Sequence, residues 1–367
     1  NVTRIHVVNS SDTAQPFVAT LYNRDGGMQG SAYTNLASAT VPANGRLILS
    51  STDLETIFGV SPWVGPAVLE VKGADSFDLM AKLVSPSGLV SNTNCVREDR
   101  VLNIEGFDSE NMTFVRFINT TSESLGAITG TLFDANGDVI GSADTTLVDS
   151  LNPKQQVWVN RNDFAAKIGV EWNGEAMLEV ASTAGLKLLN LNLVNNETFF
   201  NFSCFESSTS GRIYLQTTST SQNISETHIV NTSDSPQMFT GTLFNGDGDQ
   251  LGDAAQQLST GTVPAKGRAV ISSTDLENTF GAAPWSGPAI VEVSGSDSFE
   301  LMIKLTSPSG LISNTNCVRS NQVHNIEGTD SSDMTFVRFI NVGDTTMTNI
   351  RGTLYDTGGS AIGNADQ

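Results

Sequence analysis

Three cysteines and three histidines in 367 residues leave little material for several kinds of chemistry. Cys95, Cys204 and Cys317 each occupy one equivalent position in a repeating pattern, so no repeat can close a disulfide on itself. That excludes a disulfide-stapled secreted scaffold. Two readings of these cysteines stay open: a small half-buried residue near the end of a strand, and a covalent link between neighbouring repeats or chains. His6 and His228 hold matching positions, but Arg116 takes that place in the second repeat. No Ser-His-Asp or Cys-His set recurs with the repeats, and no enzyme is expected. Basic residues are scarce as well, 19 against 39 acidic ones, for a net charge of −20. An acidic surface argues against nucleic-acid binding and against docking on anionic lipid. It fits a solvated, self-repelling exterior. Aromatics make up 7% and are spread out. No apolar run approaches the roughly 18–20 residues of a membrane helix. The sequence opens on a strand, Val2 to Val8, with no signal-like leader; a leader already removed and an excerpt of a longer chain both fit that opening.

What the sequence has is repetition. Met112 to Asn119 returns unchanged at Met334 to Asn341, and Ser91 to Arg97 returns at Ser313 to Arg319, both at one and the same offset. A weaker half-period matches Asn9 with Asn119 and Cys95 with Cys204. The chain therefore divides into units of about 110 residues, the size of one small domain. They cover 1–110, 111–222, 223–332 and an incomplete fourth, 333–367. Units one and three are near copies and unit two is divergent, so the true period is a two-unit block.

Within unit one, alternating patterns predict strands over 3–9, 16–22, 28–34, 45–50, 67–72, 77–84, 88–95 and 100–105. Asn136-Gly137, Asp247-Gly248 and Gly358-Gly359 supply the positive φ angles of tight hairpin turns. Thr52 to Glu55 has capping-box spacing and Gly59 closes one short helix; Asp163 with Gly169 and Asp275 with Gly281 repeat it. The expected fold is all-β: tandem antiparallel β-sandwiches, immunoglobulin-like in architecture only, each with one short capping helix. Trp63, Trp172 and Trp285 are matched, each two residues before Gly, and read as core anchors.

Candidate binding chemistry is thin. Asp134, Asn136 and Asp138, with Asp247 and Asp249, faintly resemble calcium loops but lack the distal Glu of an EF-hand, and hairpin turns explain them better. No other cofactor is implied. Lys82 and Lys304 are matched strand lysines, yet Leu191 holds their place in unit two, which rules out a Lys–Asn isopeptide bond common to all units. Asn-x-Ser/Thr sequons recur at Asn1, Asn111, Asn223, Asn9, Asn119 and Asn231; turn composition is favoured over glycan attachment.

The signature Phe114 to Asn119, then Gly130 to Asp134 with Gly137, a short helix and Trp-x-Gly resembles tandem repeats of bacterial secreted and cell-surface proteins. The resemblance spans essentially the whole chain and implies no catalytic residues. It implies an extracellular stalk, matrix or fibre module whose partners are copies of itself, or the same long chain continued head to tail. Ile104, Phe107 and Tyr214 are expected to stiffen the junctions. The alternative is an adhesin stalk holding a glycan or a protein receptor. The incomplete fourth unit would expose a strand edge for another molecule to complete.

Overall fold

A computed structural model of the chain describes residues 2–86, 90–92, 95–196, 198–203, 207–215, 220–310, 312–314, 323, 326, 335–343 and 345–366. It is all-β, with several antiparallel sheets and three short helices among those residues. The first stretch carries β1 (Val2–Asn9), β2 (Val18–Tyr22), β3 (Met28–Asn35), β4 (Arg46–Ser50), β5 (Val68–Lys72), β6 (Phe77–Val84) and β7 (Val90–Asn92). They form two sheets, ordered β4-β1-β6-β7 and β3-β2-β5. Alternation decides which side chains go inside. Ile5 and Val7 of β1, Leu49 of β4, and Ala19 and Leu21 of β2 meet in one core.

The second stretch adds β8 (Arg100–Glu105), β9 (Met112–Asn119), β10 (Ile128–Phe133), β11 (Val139–Val148), β12 (Gln156–Asn160), β13 (Glu175–Val180), β14 (Leu186–Val194) and β15 (Thr198–Asn201). Its sheets run β12-β9-β14-β15 and β11-β10-β13-β8 around a second core. The third adds β16 (Ser207–Leu215), β17 (Ile224–Asn231), β18 (Thr240–Phe244), β19 (Gln250–Gln257), β20 (Arg268–Ser272), β21 (Ala289–Thr306) and β22 (Ile312–Asn314). Here the 18-residue β21 runs through both layers, pairing β18 with its first half, β17 and β22 with its second, and β16 mainly with the first. A hairpin of β23 (Arg351–Tyr355) and β24 (Ala361–Asp366) ends the described chain.

Two pairings depart from sequence order. Read along the sequence, β8 closes the first repeat, but it pairs with β13 and buries Val101 and Ile104 in the second core. Likewise β16 pairs with β21 and buries Ile213 and Leu215 in the third. Among the described residues nothing pairs with the outer edge of β5. Leu69, Val71 and Leu79 of the first core are accordingly half-buried, while their counterparts Val291, Val293 and Leu301 are buried.

Each layer pair carries one eight-residue helix: α1 (Ser51–Phe58), α2 (Arg161–Ile168) and α3 (Ser273–Phe280). The capping box is formed by Ser50 and Asp53, two residues before the Thr52–Glu55 box expected from spacing. Ser50 Oγ accepts from Asp53 N at 3.2 Å, and Asp53 Oδ2 accepts from Ser50 N at 2.7 Å. The carboxylate at the third helical position is short enough to reach back, and Ser50 keeps its extended backbone. Gly59, at φ 64°, ends the helix as expected.

One asparagine after each first strand staples its loop. Asn119 Nδ2 donates to the carbonyls of Glu123, Leu151 and Asn152, while its Oδ1 accepts from Thr121 N and Oγ1. Asn9 and Asn231 make the same set. All three are fully buried with the amide nitrogen in use, so a glycan at these sequons would displace the loop they hold. Thr335 to Asn341 repeats Thr113 to Asn119 of β9 but forms no strand, and Phe336 is 85% exposed. In β9 the same residues lie between β12 and β14 and are buried or half-buried.

Replacing Asn119 with Ala should cost about 3 kcal/mol, because three carbonyls lose their donor inside the fold. Ser122→Ala, exposed in the same loop, should stay within about 0.5 kcal/mol. Thermal or urea unfolding of the full chain checks the difference; equal effects would contradict the stapling role.

Candidate assembly interface

The successive layer pairs meet through one repeated contact. The turn after β2 lies on the loop before β12: Gln156 N donates to Arg24 O at 2.9 Å. The turn after β10 lies on the loop before β20 in the same way, with Arg268 N donating to Ala135 O at 2.9 Å. The turn after β23 meets the loop before β4, where Arg46 N donates to Thr357 O at 3.1 Å. Each turn presents a glycine with positive φ to a backbone carbonyl. A Cβ at Gly26, Gly137 or Gly359 would stand 2.1, 1.9 or 2.2 Å from the oxygens of Pro153, Ala265 and Ala43. These glycines serve both the turn and the close approach. Gly248, at the same place in the third stretch, has open space around it among the described residues.

Between the first and second cores the contact is apolar and aromatic. Val68 of β5 packs against Ile118, Leu189 and Leu191, as do Trp158 and Phe199. Arg116 lies over the Trp158 ring at 4.4 Å. Burial pulls its guanidinium down to about 10, which leaves it charged at neutral pH. Lys154 reaches back to Glu70 at 3.2 Å.

Between the second and third cores the contact is ionic and buried. Glu175, at the start of β13, accepts from Arg268 Nη1 at 2.8 Å and from Lys304 Nζ at 2.7 Å. Glu105, at the end of β8, accepts from the same Lys304 at 3.1 Å and from Asn103 and Asn192. Arg268 Nη2 donates to Leu102 O at 2.8 Å. An apolar patch of Leu102, Met177 and Val230 lies beside them, with Phe133 against it. Further along, Arg97 and Arg100 close on buried Glu300, Arg97 at 2.5 Å.

Charges taken out of water must be paired. Burial would raise the Glu175 carboxyl; the positive charges of His228, Lys304 and Arg268 overcome it and hold it at about 2. His228, 3.4 Å from Glu175, is pushed down by burial to about 4 and is neutral at pH 7. Above that pH, Lys304 and Arg268 keep the carboxylate ionised.

The residues singled out in the sequence fall as follows. Trp172 and Trp285 are buried in the second and third cores, and Trp63 packs half-buried against the first. Cys95 is disulfide-bonded, and since residues 1–110 hold one cysteine, the bond reaches beyond them. Cys204 and Cys317 lie outside the described residues, as do Asn1 and His324. The Asp134 carboxylate accepts from the backbone N–H groups of Asn136 and Asp138, and the side-chain amide oxygen of Asn245 accepts from those of Asp247 and Asp249. Among the described residues no three His, Cys, Asp or Glu side chains come together to hold a metal ion. Ile104 and Phe107 do not bridge units: Ile104 is part of the second core and Phe107 packs edge-on against Trp172, because β8 belongs to that core. Tyr214 is buried on β16, opposite Ile290. Lys304, weighed as an isopeptide former, has its ammonium paired with two carboxylates.

Sequence reasoning missed Glu105, Glu175, Arg268 and Trp158. The available signal was that Arg268 and Lys304 recur one two-unit block after Arg46 and Lys82, on strands otherwise poor in charge. No protein-family model and no curated protein matches the chain. Among solved structures it is similar to that of the infectious bursal disease virus Gt strain, at 11% identity, 83% of this chain, 71% of that chain and a TM-score of 0.14. It is also similar to an archaeal virus structure described as a triple jelly roll fold and turret assembly, at 10% identity, 82% and 78% coverage and a TM-score of 0.15. Likeness at that level carries no argument about function.

Glu175→Gln should destabilise the chain by about 3 kcal/mol, because Lys304 and Arg268 lose their shared carboxylate. The pH dependence has a definite sign. His228 is neutral in the fold, so stability falls as pH drops from 6.5 towards 4; Glu175 then loses its contribution from 4.5 towards 2. Unfolding midpoints measured from pH 7 to pH 3 should fall steeply in the native chain, and in His228→Gln the part of that fall between pH 6.5 and 4 should be lost. Parallel curves would contradict the assignment.

Proposed function

We propose that the chain is a non-enzymatic, extracellular structural protein: a run of immunoglobulin-like β-sandwich units that stack face to face into a filament or a segment of one. The recurring turn-on-loop contact carries this reading. It joins opposite ends of successive units, the first to the second through Arg24 and Gln156 and the second to the third through Ala135 and Arg268. A contact between two different surfaces does not saturate in a symmetric pair; repeated with a constant step, it builds a line. The interior of the contact between the second and third cores favours rigidity, since its charged groups are spent on one another rather than facing a cleft. The disulfide at Cys95 fits an oxidising compartment. The net charge of −20 keeps the flanks of such a rod apart.

Electron microscopy of the native material tests the proposal. The expected images are long uniform filaments whose axial repeat matches one or two units. Separate beads that bend freely at the junctions would sink it.

A further inference from the structure

The outer strands β3, β11 and β19 each end a sheet and pair on one side only among the described residues. At one matched place each of them leaves its ladder. Ala19 opposes Thr34 and Leu21 opposes Gln29, so Thr20 alone faces residues 30–33. In the same way Thr131 faces 141–144, and Thr242 faces 252–255. A regular antiparallel ladder sets a single residue there. The excursions share one shape. Each begins on a glycine at positive φ and ends on a residue with a side chain at positive φ: Gly30 and Tyr33, Gly141 and Asp144, Gly252 and Ala255. The threonine hydroxyl accepts from the backbone N–H of that last residue, at 3.2, 2.9 and 3.1 Å. The glycine lies on the last carbonyl of the helix. A Cβ there would stand 2.2, 2.6 or 2.0 Å from the oxygens of Phe58, Ile168 and Phe280.

Every residue of the three excursions is exposed, so core packing does not call for them. The flanks of the same strands supply a second observation. They cover 28–29 and 34–35 in β3, 139–140 and 145–148 in β11, and 250–251 and 256–257 in β19. None of these flanking residues is charged and none is proline. Charged side chains and proline are the usual means of keeping an exposed edge from pairing. Joined into one straight run, uncharged residues such as Val139, Ile140 and Thr145 would make a template for another strand. The excursion divides each edge into runs near the lower limit of strand length, about three residues.

We propose that the excursion in each outer strand is a lateral guard: it keeps a second copy of this chain from pairing an edge of its own with β3, β11 or β19. The four residues break the row of donors and acceptors that an incoming strand would have to match. The N–H of the last one is spent on a threonine of the neighbouring strand. That bond and the contact with the helix pin the excursion, so it does not flatten into the ladder. The strain at Tyr33, Asp144 and Ala255 is what holding it open costs. The inference goes beyond the stacking of units. It concerns the flanks of the chain and stands whether or not the ends join in a line.

Deletions in the full chain test it, each removing all but the glycine of one excursion: 31–33, 142–144 or 253–255. A single residue then faces each threonine and the edge runs straight. Circular dichroism and the melting temperature should stay near native. Light scattering should rise at a concentration at least about tenfold lower than in the native chain. Electron micrographs should show chains joined side by side. Adding Thr146→Lys, an exposed position on β11, to the 142–144 deletion should restore the native behaviour. A folded variant that scatters as the native chain does would overturn the inference. So would association that Thr146→Lys leaves unchanged, since it would not come from a paired edge. Loss of the fold in all the deletions would overturn it too, by assigning the excursions to the sandwich itself.

Discussion

Glu175 is the constraint on which the arrangement of the second and third layer pairs depends. A carboxylate at the start of β13, turned away from its own core, is costly to dehydrate unless a cation meets it. Arg268 and Lys304 meet it from the next sheet, and Glu105 shares Lys304. Shifting one sheet over the other by a single residue would leave at least two of these charges buried alone. Apolar area by itself would tolerate such a slip; the ion pairs do not. The ionic contact therefore sets the register of the stack, and the patch of Leu102, Met177 and Val230 supplies the burial around it.

The alternation of unit types has the same origin. Where β17 and β21 offer His228 and Lys304, the matching positions of the second stretch offer Arg116 and Leu191. Arg116 answers a tryptophan ring, and Leu191 answers Val68. One face is apolar and aromatic and the other ionic, so each accepts a different neighbour. A period of two units, rather than one, is what two non-interchangeable faces require. The asparagine staples do not alternate: Asn9, Asn119 and Asn231 make the same bonds in the first three stretches.

Much of the architecture was legible in the residues. The strands read over 3–9, 45–50 and 77–84 lie within about a residue of β1, β4 and β6, because alternation fixes which side chains face inward. Gly59, Gly169 and Gly281 closed the three helices as expected. The partner of each strand was harder. Alternation identifies β8 as a strand but carries no information about which edge it joins, and its nearest neighbour in sequence was not its neighbour in space. The interface was the least legible part. Glu105 and Glu175 are two acids among 39, indistinguishable by local pattern from a solvated face. Only the sheet that comes to lie over them gives them a role, and that depends on contacts between residues far apart in the chain, such as Glu105 with Lys304. Trp158 escaped notice because it has no match in the other units.

The rigidity of the ionic junction is the claim to test most directly. Spin labels carried on unnatural amino acids at Ala143 and Ala254, both exposed on equivalent strands of neighbouring stretches, would report their separation by pulsed dipolar spectroscopy. At pH 7 the expected result is one narrow distance peak that broadens in Glu175→Gln. A broad or multimodal distribution in the native chain, or a peak unchanged by the substitution, would contradict the account.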